Sequence, residues 1–162
     1  MSTSVQTDLL GPEWLFKHEW GFGAKGSDAD FDAYMKSLLI CCKGDGTISD
    51  EERHWVLGYC AALGGDPALI QELTTYSADD DITEMITGGE VANASRGALV
   101  FDAIRACDAD GTLPEAELAA IRKLAELLGV GELVDQAHAM HKQEKAARDA
   151  RNALLYPNGT PI

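Results

Sequence analysis

The sequence predicts an all-α protein, a single-domain helical bundle of about 7–8 helices. Three observations lead to this prediction. Apolar residues recur at intervals of three and four along most of the chain, no useful length alternates apolar with polar residues, and one segment matches another when shifted by 65 residues. With 162 residues, 46% of them hydrophobic, the chain can bury a core without disulfides or a structural metal.

Residues 1–26 form the first predicted unit, an N-terminal aromatic arm or short helix laid over the domain. Four aromatic side chains lie in it, two of them tryptophans: Trp14, Phe16, Trp20 and Phe22. A motif that docks on a partner protein is the alternative interpretation.

Two helices and a sharp turn follow. Ser27 or Asp28 is suited to cap a helix that ends at the Lys43–Gly46 stretch. Ser49 and Glu52 have the spacing of a capping box, which predicts a second helix that ends at Gly64.

The rest of the chain continues in the same pattern. Asp66 and Pro67 predict a helix start, and a short segment is expected over about 81–87. Longer helices are predicted over about 93–107, 112–128 and from past 131 toward 155. The predicted buried residues of the 112–128 helix are Leu118, Ile121, Leu124, Leu127 and Leu128.

The 65-residue shift indicates an internal duplication, two helical hairpins related by pseudo-symmetry. Identical residues fall on each other at many positions. These pairs include Cys42 with Cys107, Asp45 with Asp110, Gly46 with Gly111, Thr47 with Thr112, Glu52 with Glu117, and Gly64 with Gly129.

Charge and cysteine content restrict the function. A net charge of −14 disfavours nucleic acid and anionic membrane surfaces as partners and favours cations or a basic protein surface. The four cysteines lie in apolar stretches without a CxxC pair, so reduced, buried thiols in a cytoplasmic protein are expected. No signal peptide or membrane-spanning segment is predicted.

Each repeat carries an Asp-Gly-Thr-hydrophobe loop with a Glu seven residues after the Asp. This spacing resembles half of an EF-hand loop, but the first ligand position would be Cys41 or Ala106, and Lys43 would occupy a third position. An ordinary EF-hand is therefore rejected.

The two loops do resemble the Ala-Asp-Gly-x-hydrophobe-x-x-x-Glu signature of the TerB-like family of tellurite-resistance and stress proteins. The resemblance covers about residues 30–141, and the corresponding predicted domain is 27–141. It implies a duplicated helical domain with an acidic, cation-binding surface near both loops, and work in multi-protein stress or membrane-associated complexes rather than a known catalytic cycle. Carried onto this chain, the candidate metal ligands are Asp45, Glu52, Asp110 and Glu117, with Asp50, Asp108 and Glu115 added by proximity.

Two alternatives remain open for these acids. They could simply cap helices and oppose helix dipoles, or carboxylates could combine with His54, His138 and His141 in a metal-dependent enzyme. Repulsion among the gathered carboxylates favours a divalent cation, Ca²⁺ or Mg²⁺ before Zn²⁺ or Mn²⁺. No motif indicates an organic cofactor or a catalytic residue.

Residues 142–162 are expected to form a basic helix end and tail. Its four basic residues share a loose face: Lys142, Lys145, Arg148 and Arg151. They could pair with the acidic body or dock a partner. Taken together, the sequence predicts a cytoplasmic TerB-like stress-response or tellurite-resistance-type protein that binds a divalent cation, a protein partner or both.

Overall fold

The structure, a computed structural model, describes residues 7–162, and these residues are all-helical. The α-helices of this range are α1 (Thr7–Leu15), α2 (Asp28–Cys42), α3 (Asp50–Ala62), α4 (Pro67–Leu73), α5 (Ile82–Met85), α6 (Glu90–Ala94), α7 (Arg96–Cys107), α8 (Glu115–Leu127) and α9 (Val134–Leu155). A π-helical turn, Phe16–Trp20, continues α1, and short 3₁₀ turns occur at Lys43–Asp45, Ile86–Gly88 and Gly131–Leu133. The all-α prediction is confirmed. None of the helices described combines the length and apolar character needed to span a bilayer.

The predicted duplication is confirmed in the backbone. Helices α3 and α8 are separated by 65 residues at both ends, and α2 and α7 end at residues that are also 65 apart. The turn glycines Gly46 and Gly111 both have positive φ, 113° and 93°, which side-chain-bearing residues rarely adopt. The two hairpins therefore share their loop conformation as well as their sequence.

Capping side chains fix where the helices begin. Ser27 with Asp30 at α2, and Ser49 with Glu52 at α3, form reciprocal capping boxes. Asp66 caps α4, and Asp81 caps α5. These starts are those that the sequence predicts.

The predicted continuous helix over 93–107 is wrong at its beginning. The chain becomes helical at Glu90 and is interrupted at Ser95, so that α6 and α7 replace one helix and bring the number in residues 7–162 to nine. The buried Asp30 carboxylate causes the early start, since its Oδ1 accepts from Val91 N at 2.9 Å and from Ala92 N at 3.2 Å.

Helix α2 lies at the centre of the core. It packs against α3, α6, α7 and α8, and Met35, Leu38 and Leu39 are fully buried. One predicted core residue is on the outside: Leu127 is 63% exposed, because Leu128 takes the inward position at the end of α8. All four cysteines are buried and none is in a disulfide within the described range, as expected.

The described part of the N-terminal arm, residues 7–26, packs on the central domain through Phe16 and Trp20, and the first six residues of that predicted unit lie outside the described range. In the arm, Phe16 is buried edge-on against Phe31, and Trp20 Nε1 donates to Tyr59 OH at 3.0 Å. Trp14 is exposed. At the other end α9 runs without a break through residue 142 to Leu155, so the basic residues lie on the same helix that packs against α7.

Candidate metal centre

The two aspartates of the repeated loops are held in the same local turn. Asp45 Oδ1 accepts from Thr47 N at 3.1 Å, and Asp110 Oδ1 accepts from Thr112 N at 2.9 Å. Both side chains are exposed. This turn, completed by the positive-φ glycine, orients each carboxylate at the surface immediately before its second helix.

The two glutamates are placed on the first turns of α3 and α8, and there the copies differ. Glu52 is 4% exposed, its Oε2 accepts from Ser49 N at 2.6 Å, and its Oε1 is buried without a hydrogen-bond partner among the described residues. In the second copy Pro114 stands in place of Ser49 and has no N–H to donate. Glu117 Oε2 is buried and has no partner in residues 7–162.

The four predicted carboxylates influence one another electrostatically. Burial, and then the negative charges of Glu52, Asp45 and Asp110, raise the pKa of Glu117 to about 7. Each of these neighbours disfavours ionisation of Glu117. A cation placed among them would reverse that effect.

Helix capping explains only part of this arrangement. It accounts for Oε2 of Glu52, which completes the capping box of α3. It does not account for Glu52 Oε1 or for Glu117 Oε2, since a buried carboxylate oxygen without a hydrogen bond is destabilising.

Sequence analysis missed two side chains at this site, Cys42 and Cys107. They end α2 and α7 and are 1% and 3% exposed. Their sulfur atoms and a carboxylate oxygen of Glu52 lie within 4.8 Å of one another. In the described chain these three residues form the sole group of three or more His, Cys, Asp or Glu donors that meets this distance. The signal was present in the sequence, because the 65-residue shift aligns the two cysteines.

The secondary acids lie in different surroundings. Asp50 and Glu115, equivalent under the 65-residue shift, are exposed at the starts of α3 and α8. Asp108 Oδ2 lies 2.8 Å from His141 Nε2 and accepts from Lys145 Nζ at 2.9 Å. Although burial opposes ionisation, these hydrogen bonds hold the pKa of Asp108 below its usual value. Asp108 is therefore already paired with a lysine and a histidine of the protein.

The three histidines of the alternative site do not form a cluster. His54 is exposed on α3, whereas His138 and His141 are half-buried on α9. Burial and the positive charge of Lys142 lower the pKa of His138. In residues 7–162 no three-donor group within 4.8 Å contains a histidine.

Lys43 would stand at a ligand position of an EF-hand loop, but its side chain makes its contacts outside the two loops. Its ammonium group donates to Ser77 O at 2.8 Å and forms an ion pair with Asp79.

A duplicated all-helical bundle with paired acidic loops is the class of protein that this fold and site define. Among solved structures, a tellurite resistance protein from Nostoc punctiforme matches with a TM-score of 0.92 and 39% sequence identity, over 97% of this chain and 99% of that one. The chain therefore belongs to the TerB-like family of tellurite resistance proteins. No protein-family model and no curated protein matches it. The 97% coverage also extends the similarity beyond residues 30–141 into both flanking segments.

Proposed function

We propose that the protein binds a divalent cation between its two Asp-Gly loops and serves as a binding module in a tellurite-resistance type of stress response. The observation that carries the proposal is the pair of buried glutamate oxygens, one from each repeat, that have no hydrogen-bond partner within the described residues. The exposed Asp45 and Asp110 add negative charge at the same place. Carboxylate oxygens are the ligands of divalent cations such as Ca²⁺ and Mg²⁺.

A cation would offset both unfavourable features of the metal-free site. It would supply a partner for Glu52 Oε1 and Glu117 Oε2, and it would neutralise the repulsion among the four carboxylates.

The test is calorimetric titration of chelator-treated protein with Mg²⁺, Ca²⁺, Mn²⁺ and Zn²⁺. We expect at least one ion to bind and to raise the melting temperature, and the Asp45→Ala/Asp110→Ala protein to bind it more weakly by at least about tenfold.

The chain offers a matched control in Asp50→Ala/Glu115→Ala. This variant removes the same two charges from equivalent, exposed positions of the two repeats, so its binding should remain close to that of the unchanged protein. Absence of heat with all four ions would refute cation binding. Equal losses of cation affinity in both double variants would show that the net negative charge, and not a defined site, attracts the ion.

The cellular role is also a proposal, since tellurite resistance is named for the Nostoc protein. A host strain lacking its own TerB-type gene should regain growth on tellurite with the unchanged chain and not with Asp45→Ala/Asp110→Ala. Growth restored equally by both would separate the cellular role from the loop aspartates. We also expect a protein partner in the cytoplasm. The test is whether proteins that the unchanged chain captures are lost with Asp45→Ala/Asp110→Ala.

A further inference from the structure

The two cysteines at the repeated loops occupy equivalent places. Cys42 is the last residue of α2 and Cys107 the last residue of α7, and each precedes its Asp by three residues. Because α2 packs against α7, the duplication brings the two sulfur atoms within 4.8 Å of each other. The same duplication supplies the paired glutamates.

The distances are those of a metal-ligand set. Donor atoms of Cys42, Cys107 and Glu52 lie within 4.8 Å of one another. Around a tetrahedral Zn²⁺ ion, with bonds of about 2.0 Å to oxygen and about 2.3 Å to sulfur, the ligand atoms would be roughly 3.3–3.8 Å apart. Since 4.8 Å is the upper limit of the observed separations, a contraction of at most about 1–1.5 Å would close the set.

Glu117 is the repeat equivalent of Glu52 and the candidate for a fourth donor. It lies outside the group of three within 4.8 Å, but its buried Oε2 lacks a hydrogen-bond partner in the described chain.

We propose that this cation site takes a thiophilic divalent ion of the Zn²⁺ class, held by the thiolates of Cys42 and Cys107 and the carboxylates of Glu52 and Glu117. This inference rests on the proposed function and changes the expected ion from a hard to a borderline-soft one. Two sulfurs and two oxygens complete a tetrahedral set, which is the usual coordination of Zn²⁺ in proteins. Ca²⁺ and Mg²⁺ bind oxygen ligands and keep water, yet Cys42, Cys107 and Glu52 are each less than 5% exposed.

The decisive measurement is the absorption spectrum of the full chain loaded with Co²⁺ under reducing conditions. Thiolate ligation gives a sulfur-to-cobalt charge-transfer band in the near ultraviolet, which carboxylate ligands alone do not give. We expect this band in the unchanged protein and its displacement by Zn²⁺. Zn²⁺ preference over Mg²⁺ by itself would not decide the matter, because oxygen sites share that order.

Variants locate the ligands. Cys42→Ser/Cys107→Ser should abolish the band and weaken Zn²⁺ binding on the order of a hundredfold or more. Cys60→Ser is the matched control, since Cys60 is equally buried but belongs to α3 and lies against Gly65. It should keep the band at full intensity.

Each result decides a different claim. Co²⁺ binding without a charge-transfer band in the unchanged protein would overturn the thiolate assignment and leave the acidic cation site standing. Failure of every ion to bind would overturn both. Should the double variant not fold, judged by circular dichroism, the band in the unchanged protein still decides.

Discussion

The difference between Ser49 and Pro114 allows one repeat to be converted into the other. At Ser49, φ and ψ are −69° and 160°, and at Pro114 they are −60° and 149°, so the backbone is the same in both copies. Serine therefore fits at residue 114 without strain. We predict that Pro114→Ser stabilises the metal-free protein, because it completes the capping box of α8.

The magnitude follows from three terms. A serine N-cap contributes about 1 kcal/mol. A hydrogen bond from its N–H to the ionised Glu117 carboxylate, as Ser49 donates to Glu52, adds roughly 1.5–3 kcal/mol. Loss of the proline costs about 0.4–1 kcal/mol through the unfolded chain. The net gain is about 2 kcal/mol, which corresponds to a rise in melting temperature of about 4–8 °C for a chain of this size.

The assay is thermal and urea unfolding at pH 8 with a chelator present. At this pH the Glu117 carboxylate, with its pKa raised to about 7, is ionised and the charged hydrogen bond contributes.

Two matched variants divide the effect. Pro114→Ala supplies the N–H but no hydroxyl, so it should fall about 1 kcal/mol below Pro114→Ser. Ser49→Pro should destabilise by about 2 kcal/mol, because it deprives the buried Glu52 of its donor. The explanation of these two helix starts would be refuted if Pro114→Ser were no more stable than the unchanged chain and Ser49→Pro did not change the stability.

Three further predictions concern the scaffold. Asp30→Ala should lower the free energy of unfolding by about 3–5 kcal/mol in urea, since the buried carboxylate accepts four hydrogen bonds across α2 and α6. Burial opposes ionisation of Asp30, yet these hydrogen bonds lower its pKa. The stability that Asp30 contributes is therefore present above about pH 4 and is lost as the pH falls further. A difference in unfolding free energy between the two proteins that did not change with pH would contradict this. Leu99 is fully buried, whereas Leu127 is exposed. Leu99→Ala should therefore lower the free energy of unfolding by about 2–5 kcal/mol, and Leu127→Ala should change it by less than about 0.5 kcal/mol. Equal effects of the two substitutions would disprove this difference in burial. Gly46→Ala should lower the free energy of unfolding by about 1–2 kcal/mol because of the φ of 113°. A steric clash does not contribute, since no atom lies within 4 Å of an added Cβ. An unchanged melting temperature would argue against this backbone conformation.

Local chemistry made much of the fold predictable. Ser27, Ser49, Asp66 and Asp81 act through hydrogen bonds to residues two or three positions away, so their effect can be deduced from sequence alone. The duplication was visible because both copies keep the turn glycine that the loop conformation requires. These features brought the helix order and the two acidic loops within reach of sequence analysis.

The errors arose where distant residues decide the structure. Asp30 starts α6 from 61 residues away, and nothing near Val91 in the sequence announces that bond. Leu127 fits the helical spacing of its neighbours, but the packing of α8 places Leu128 inward. The hydrogen bond from Trp20 to Tyr59 likewise depends on how α3 is placed.

The cysteines illustrate a different limit. Considered singly, Cys42 and Cys107 are small apolar residues in core stretches, and that description of their burial is correct. Their relation to each other and to Glu52 becomes meaningful only when the two repeats are superimposed. A duplicated chain places equivalent residues on either side of its pseudo-symmetry axis, so any side chain near that axis meets its own counterpart. Like charges that meet in this way repel, which is why we propose a cation at this place, and the sulfur atoms beside Glu52 are the reason for proposing an ion of the Zn²⁺ class.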